Sequence, residues 1–140
     1  MWSAETTGVS SATPAEVFRV LAEPATWSEW NEGVADVRMD GPFATDSTAV
    51  MVFPDETELP FSLAWVEEER GFEDVTEVPD AGVVVRVTHE LEPEGTSTRI
   101  TYRCVVQGPD DAASDVGTGV SADFEEVITA LAARAEQLHG

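Results

Sequence analysis

Two polar side chains stand among apolar neighbours late in the sequence. His89 continues a run of valines at alternate positions, and Tyr102 alternates with apolar residues in the next segment. If both segments are strands, the two polar groups share the face that the apolar residues bury. There they could bind or protonate a carbonyl group of a ligand, with His89 as the acid or base near neutral pH. His89 and Tyr102 are therefore the candidate catalytic residues.

A structural role is the alternative for both residues. His89 can lie half in solvent near the end of its strand, and the Tyr102 hydroxyl can bond to a backbone carbonyl. Cys104 follows closely, but its basic neighbour Arg103 falls on the other strand face. A buried thiol without such a neighbour is expected to be inert.

Other kinds of chemistry lack their residues. With two histidines and one cysteine, a metal site would have to rest on carboxylates, and we predict none. No glycine-rich phosphate loop and no motif that pairs a nucleophile with a base occurs, so no cofactor is predicted.

The composition indicates one globular domain, residues 1–140. The chain has 140 residues, of which 42% are hydrophobic, enough for a single core. No apolar run is long enough to span a membrane, and residues 1–5 do not resemble a secretory signal, so stable membrane insertion is not expected. A single cysteine cannot form an internal disulfide, which favours a cytoplasmic protein. A monomer or a homodimer is expected.

The charge is strongly negative. Seven basic residues, all arginine, stand against 28 acidic ones, giving a net charge of −21. Such a surface repels nucleic acid and anionic membranes, and we exclude nucleic acid as a partner. Adaptation to a saline habitat and a genome composition that favours arginine codons both explain the charge, and both stay open.

The elements that position these residues begin with two short helices. Thr13 is a good N-cap, Pro14 suits the first helical turn, and Glu16 completes a capping box. Helices are predicted near 14–22 and 24–30. Trp27 and Trp30, in the second of these, are expected to pack beneath the helices as the floor of a cavity, with gating of its mouth as the alternative.

A meander of strands follows, since short turns separate the strand-like segments and demand antiparallel neighbours. Together with an N-terminal edge strand, the predicted strands are 2–9, 34–40, 48–53, 59–67, 72–78, 82–91 and 96–106. Apolar residues then recur at helical spacing over 113–138, with Gly117 and Gly119 weakening the first part. Asp110, Asp111 and Asp115 are expected to stabilise the start of this helix.

The long helix must bury its apolar stripe against the sheet. A curved sheet around one helix usually leaves a space of roughly several hundred Å³ between them. The predicted class is α+β: a curved antiparallel sheet of about seven strands wrapped round a long C-terminal helix, with two short helices after the first strand.

At this point the chain resembles the START/Bet v 1-like superfamily, in its polyketide cyclase/dehydrase-type (SRPBCC) branch. The resemblance covers essentially the whole chain, in the right order. The segments that carry it are residues 13–18 (TPAEVF), 24–30 (PATWSEW), 39–43 (MDGPF), 95–101 (GTSTRIT) and 106–109 (VQGP). Asp46 stands where the branch usually has glycine. The resemblance implies a helix-grip fold with an internal ligand cavity.

Three functions follow as hypotheses. The first is binding of a small hydrophobic or aromatic molecule, as a carrier or sensor. The second is a polyketide cyclase/aromatase or dehydratase in which the cavity folds the substrate and Tyr102 or His89 moves a proton. The third is a protein-interaction module that uses the acidic surface. The predicted ligand-binding residues are Phe61, Leu63, Trp65, Val85, Val87, His89, Tyr102, Cys104, Val120 and Phe124.

Overall fold

A computed structural model of the protein describes residues 1–139. Seven strands lie within this part of the chain: β1 Trp2–Ser10, β2 Asp36–Met39, β3 Thr48–Val52, β4 Glu58–Glu67, β5 Gly71–Val78, β6 Val83–Glu94 and β7 Ser97–Gln107. The helices are α1 Pro14–Leu21, a short 3₁₀ helix Pro24–Glu29, α2 Asp110–Ser121 and α3 Phe124–His139.

All seven strands form one antiparallel sheet in the order β1-β7-β6-β5-β4-β3-β2. Strands β2 to β7 each pair with their neighbour in sequence, and β1 pairs with β7 at one edge. The core lies between the sheet and the helices, because the C-terminal helices pack on β1 and β7 and α1 packs on α3. The predicted meander, with its long C-terminal helix and two short early helices, is confirmed.

The capping box predicted at the start of α1 is present. The Glu16 amide donates to Thr13 Oγ1 at 3.2 Å, and the Thr13 amide donates to Glu16 Oε1 at 2.8 Å. This satisfies two donors that the first helical turn leaves free. The helix buries Val17, Val20 and Leu21 against the core.

The long C-terminal helix is interrupted at Ala122 and Asp123, whereas the sequence predicted only a weakened first part at Gly117 and Gly119. Helix α2 runs through Gly117 and Gly119 without a break. Just before the interruption, the Ser121 hydroxyl donates to the Gly117 carbonyl at 2.8 Å. A serine that bonds back to the carbonyl four residues earlier commonly bends a helix, which accounts for the position of the break.

Gly117 lets the indole of Trp2 pack directly on α2. A Cβ placed at this residue would lie 2.1 Å from Trp2 Cε3, far inside contact distance. We therefore expect Gly117→Ala to destabilise the protein, although alanine favours a helix over glycine by about 1 kcal/mol. Urea unfolding measures the effect, and Trp2→Ala, which removes the clashing ring, should restore the ordinary helix preference for alanine. A more stable Gly117→Ala single variant would contradict this packing.

Strand β4 contains a β-bulge that the sequence analysis did not predict. Leu63 pairs with Asp74 and Trp65 pairs with Glu73, so Ala64 is an extra residue on this strand. The extra residue shifts the alternation by one position. Trp65 therefore shares a face with Glu73, whose carboxylate pairs with Arg86 on the outside of the sheet.

The outer face of the sheet carries ion pairs. Arg103 bonds to Glu5 at 2.8 Å and to Glu90 at 3.0 Å, and Arg86 lies 3.5 Å from Glu73. This placement confirms that Arg103 lies on the strand face opposite Cys104, and Arg86 lies on the same outer face. In residues 1–139, no helix has both the length and the apolar character needed to cross a membrane.

Candidate functional site

A cavity of about 600 Å³ lies between the inner face of the sheet and the C-terminal helices, and it is open to solvent. Most of its wall is apolar, and the polar groups are few. The residues that line it are Asn31, Gly33, Val34, Met51, Phe53, Leu59, Phe61, Asp74, Thr76, Val78, Val85, Val87, His89, Tyr102, Asp115, Val116, Gly119, Val120, Asp123, Phe124 and Val127.

The register of the last two strands places His89 and Tyr102 at this wall. Val87 pairs with Cys104 and His89 pairs with Tyr102, which agrees with the prediction that these residues share the apolar face. Seven of the residues predicted to bind ligand line the cavity: Phe61, Val85, Val87, His89, Tyr102, Val120 and Phe124.

Three predicted residues lie elsewhere. Trp65 was predicted to bind ligand beside Phe61, but the bulge at Ala64 turns it to the outer face of the sheet. Leu63 and Cys104 face inward but are packed in the core, 1% and 0% exposed, and are not part of the cavity wall. Burial, followed by the negative charge of Asp74, raises the pKa of the Cys104 thiol to about 11, which agrees with an inert cysteine.

His89 is tied to a carboxylate that the sequence analysis missed. Its Nε2 lies 2.8 Å from Asp74 Oδ2, while its Nδ1 is buried and has no partner among the described residues. A proton on Nδ1 would lack an acceptor, so we assign the proton to Nε2, which donates to Asp74. The ring thus offers no free nitrogen to the cavity. The direct action of His89 on a ligand stays a prediction, and the structure adds Asp74 as its hydrogen-bond partner.

Aromatic rings hold the imidazole from both sides. The Phe72 ring stacks on it at 4.0 Å between centroids, and the Tyr102 ring meets it edge-on at 4.3 Å. Phe72 stacks in turn on Trp27, and Tyr102 meets Phe124 at 5.5 Å. These contacts fix the orientation of the histidine and, through it, that of the carboxylate.

Tyr102 places a polar atom at the cavity wall. The residue is 3% exposed, and its hydroxyl has no hydrogen-bond partner in residues 1–139. Burial, followed by the charges of Asp74 and Asp123, raises the pKa of this phenol. The hydroxyl therefore stays neutral, and it can donate to or accept from a bound molecule.

The raised pKa of Tyr102 predicts how stability responds to alkaline pH. Above about pH 10 the unfolded chain releases the phenol proton while the folded protein keeps it, so stability falls as the pH rises. Between about pH 9 and about pH 11 the wild type should lose about 1.4 kcal/mol more than Tyr102→Phe, most of it above about pH 10. Urea unfolding of both proteins from about pH 9 to about pH 11 measures the difference. Equal pH dependence in the two proteins would show that the phenol titrates normally.

Asp74 could have been found from the sequence. Phe72, Asp74, Thr76 and Val78 alternate along β5, and Phe72 and Val78 mark the inner face. A carboxylate between such positions is a signal of a polar group directed into the core. Asp123 had no such signal, because it sits at the unpredicted interruption between α2 and α3.

The two tryptophans of the 3₁₀ helix differ in their surroundings. Trp27 is 6% exposed, donates from Nε1 to the Leu21 carbonyl at 3.1 Å, and is not part of the cavity wall. It packs in the core beneath the short helices as predicted, but the prediction that it forms the floor of a cavity is wrong. Trp30 lines a smaller neighbouring cavity of about 230 Å³, which shares Asn31, Gly33, Asp123 and Val127 with the larger one.

The acidic residues of α2 also differ in their surroundings. Asp110 and Asp111 lie in its first turn, where a carboxylate is stabilised by the helix dipole, as predicted. Asp115 lies one turn further on and lines the cavity. Among the described residues, no three histidine, cysteine or acidic side chains are grouped closely enough to hold a metal ion.

Comparison with known proteins assigns the chain to a protein family. The sequence matches the family described as "Polyketide cyclase / dehydrase and lipid transport" over residues 1–136. The chain belongs to this family. No functionally curated protein matches the sequence.

Solved structures share the family's fold at low sequence identity. The di-domain ARO/CYC StfQ from the steffimycin biosynthetic pathway superposes with a TM-score of 0.82 at 15% identity, over 99% of this chain and 51% of that one. A protein from Mesorhizobium loti gives 0.81 at 16% identity, over 97% and 98% of the two chains. Norcoclaurine synthase from Thalictrum flavum, in complex with dopamine and hydroxybenzaldehyde, gives 0.77 at 15% identity, over 97% and 87%. At these identities the likeness concerns the fold.

Proposed function

We propose that this member of the polyketide cyclase/dehydrase and lipid transport family binds one small hydrophobic or aromatic molecule between its sheet and its C-terminal helices, as a carrier or sensor. The observation that carries the proposal is the cavity of about 600 Å³, with an apolar wall that includes Tyr102, whose hydroxyl lacks a partner in residues 1–139. Pockets of this size and character commonly enclose small ligands. The hydroxyl supplies the polar contact that orients such a ligand.

Titration with N-phenyl-1-naphthylamine, an uncharged aromatic dye that fluoresces in apolar surroundings, tests the proposal. We expect saturable binding of one dye per chain, with enhanced and blue-shifted emission. Tyr102→Phe is the matched variant, because it keeps the ring and removes only the hydroxyl. A linear, unsaturable signal that is the same in urea-unfolded protein would refute the proposal.

An enzymatic role is the second candidate, and the pair of Asp74 and His89 beside Tyr102 favours it. The Asp74 carboxylate can take a proton from the carbon next to a ketone, while the Tyr102 hydroxyl donates a hydrogen bond to the carbonyl oxygen that gains charge. His89, bonded to Asp74 at 2.8 Å, would position the base. This is the proton abstraction with which a cyclase or dehydratase begins.

Proton exchange in D₂O tests the enzymatic role without knowledge of the natural substrate. Deuterium uptake at the α-carbons of 2-tetralone, an aromatic ketone, is followed by proton NMR. We expect acceleration that saturates with ketone and is lost in Asp74→Asn. Uptake at the buffer rate would leave the cavity as a binding site without this chemistry.

The remaining expectations stay proposals. The single buried cysteine supports a cytoplasmic location, and the net charge of −21 supports the absence of a nucleic-acid partner. We likewise propose that residues 1–140 act as one domain, in a monomer or a homodimer.

A further inference from the structure

The charged groups at the cavity wall have one sign. Asp74, Asp115 and Asp123 line the cavity, whereas none of the arginines does. Six of the seven arginines are instead paired with carboxylates: Arg38, Arg70, Arg86, Arg99, Arg103 and Arg134. In the described part of the chain, His89 is the one basic side chain at the wall, and it is bonded to Asp74.

The Asp74 and His89 pair leaves a negative charge at the wall. His89 Nδ1 is buried without a partner, which fits a neutral ring that donates its Nε2 proton. Only Asp74 Oδ2 is engaged in this bond, and the other carboxylate oxygen has no hydrogen-bond partner among the described residues. The Asp74 side chain is 21% exposed, so its remaining oxygen is partly shielded from water yet within reach of the cavity.

A second observation points independently to a ligand. Tyr102 lines the same cavity and is only 3% exposed, and its hydroxyl has no hydrogen-bond partner in residues 1–139. The charges of Asp74 and Asp123 both act on this phenol and help to raise its pKa. Asp74, Asp123 and Tyr102 all line this one cavity.

We propose that the ligand is an amine that carries a positive charge on an apolar or aromatic body, with its ammonium group held by Asp74 and Asp123 and its apolar part against the valines and Phe124. This inference rests on the proposed binding function and names the chemical class of the ligand. An ammonium group can donate to the free oxygen of Asp74 and to the Tyr102 hydroxyl at once. An anion of the same shape is repelled, because carboxylates in an apolar cavity focus a negative potential.

Three probes of similar shape test the charge preference by isothermal titration calorimetry near pH 7 and physiological salt. They are 2-(1-naphthyl)ethylamine, 2-(1-naphthyl)ethanol and 1-naphthylacetate, which are cationic, neutral and anionic. We expect the amine to bind at least tenfold more tightly than the alcohol, and the acetate to show no saturable binding. Equal binding of amine and alcohol, or tighter binding of the acetate, would overturn the inference while leaving the proposed function in place. If none of the three binds, both proposals fail.

Variants separate the cavity from the acidic surface. Asp74→Asn should raise the dissociation constant of the amine at least fivefold and leave that of the alcohol within about twofold of the wild type. Asp123→Asn is a second variant of the same kind. Asp46→Asn is the matched control, since it removes an equal charge from an exposed turn, and its positive φ of 72° suits asparagine. If Asp46→Asn weakens the amine as much as Asp74→Asn does, the attraction comes from the net charge and the inference is wrong.

Discussion

Replacing Phe72 by alanine is expected to lower the free energy of unfolding by about 3–5 kcal/mol, the largest effect on stability that we predict. The ring is 0% exposed and lies between two other rings, stacking on Trp27 at 5.8 Å and on His89 at 4.0 Å between centroids. It also meets Phe43 edge-on at 5.1 Å. Its loss removes buried apolar surface and leaves a space that neighbouring strands cannot easily fill.

Urea unfolding measures this loss, with Phe53→Ala as the control. Phe53 is only half-buried, at the wall of the open cavity, and should lose less than half as much stability. Similar losses in the two variants would show that the cluster around Phe72 contributes no more than an ordinary phenylalanine. A second consequence is expected in the Phe72→Ala protein. Without the stacked ring, His89 should be less well oriented to bond to Asp74, and the affinity for the amine probe should fall.

Filling the cavity is expected to have the largest effect on binding. Thr76 is half-buried on β5, pairs with Val85 and lines the cavity, so Thr76→Trp directs an indole into the empty space. Tryptophan is favourable in strands, and the cavity gives it room, so stability should change by less than about 1 kcal/mol. The dissociation constant of N-phenyl-1-naphthylamine should rise at least tenfold.

The neighbouring residue supplies the control for this substitution. Val75 pairs with Ser62 and Arg86 on the outer face of the same strand, so Val75→Trp adds the same group away from the cavity. It should leave the dissociation constant within about twofold of the wild type. An equal rise of the dissociation constant in both variants would mean that the dye binds elsewhere or that any tryptophan on β5 disturbs the sheet.

Alternation and turn spacing were sufficient to predict the fold. They predicted the order of strands, and they placed His89 and Tyr102 on one face because the inner faces of these two long strands are almost wholly apolar. Such strands tolerate no shift of one residue, since the shift would expose the whole apolar set. The capping box at Thr13 was equally readable, because it depends on residues only three positions apart.

The parts of the site that escaped prediction depend on contacts distant in sequence. The bulge at Ala64 reflects how β4 fits β5, and the residues of β4 alone do not reveal it. It removed Trp65 from the site. Helix α2 keeps Gly117 because the Trp2 ring occupies the space of a side chain, and this contact joins opposite ends of the chain. Asp74, by contrast, alternates with Phe72 and Val78 along β5, and this local pattern is enough to place it on the inner face.

The account depends most on where a small molecule binds. In protein with isotope-labelled methyl groups, saturated with N-phenyl-1-naphthylamine, intermolecular nuclear Overhauser effects report which side chains the dye contacts. We predict contacts from the dye to the methyl groups of Val85, Val87 and Val120, which line the cavity. Contacts confined to outer-face methyl groups such as those of Val75 and Val84, or no contacts at saturation, would contradict a ligand site between the sheet and the helices.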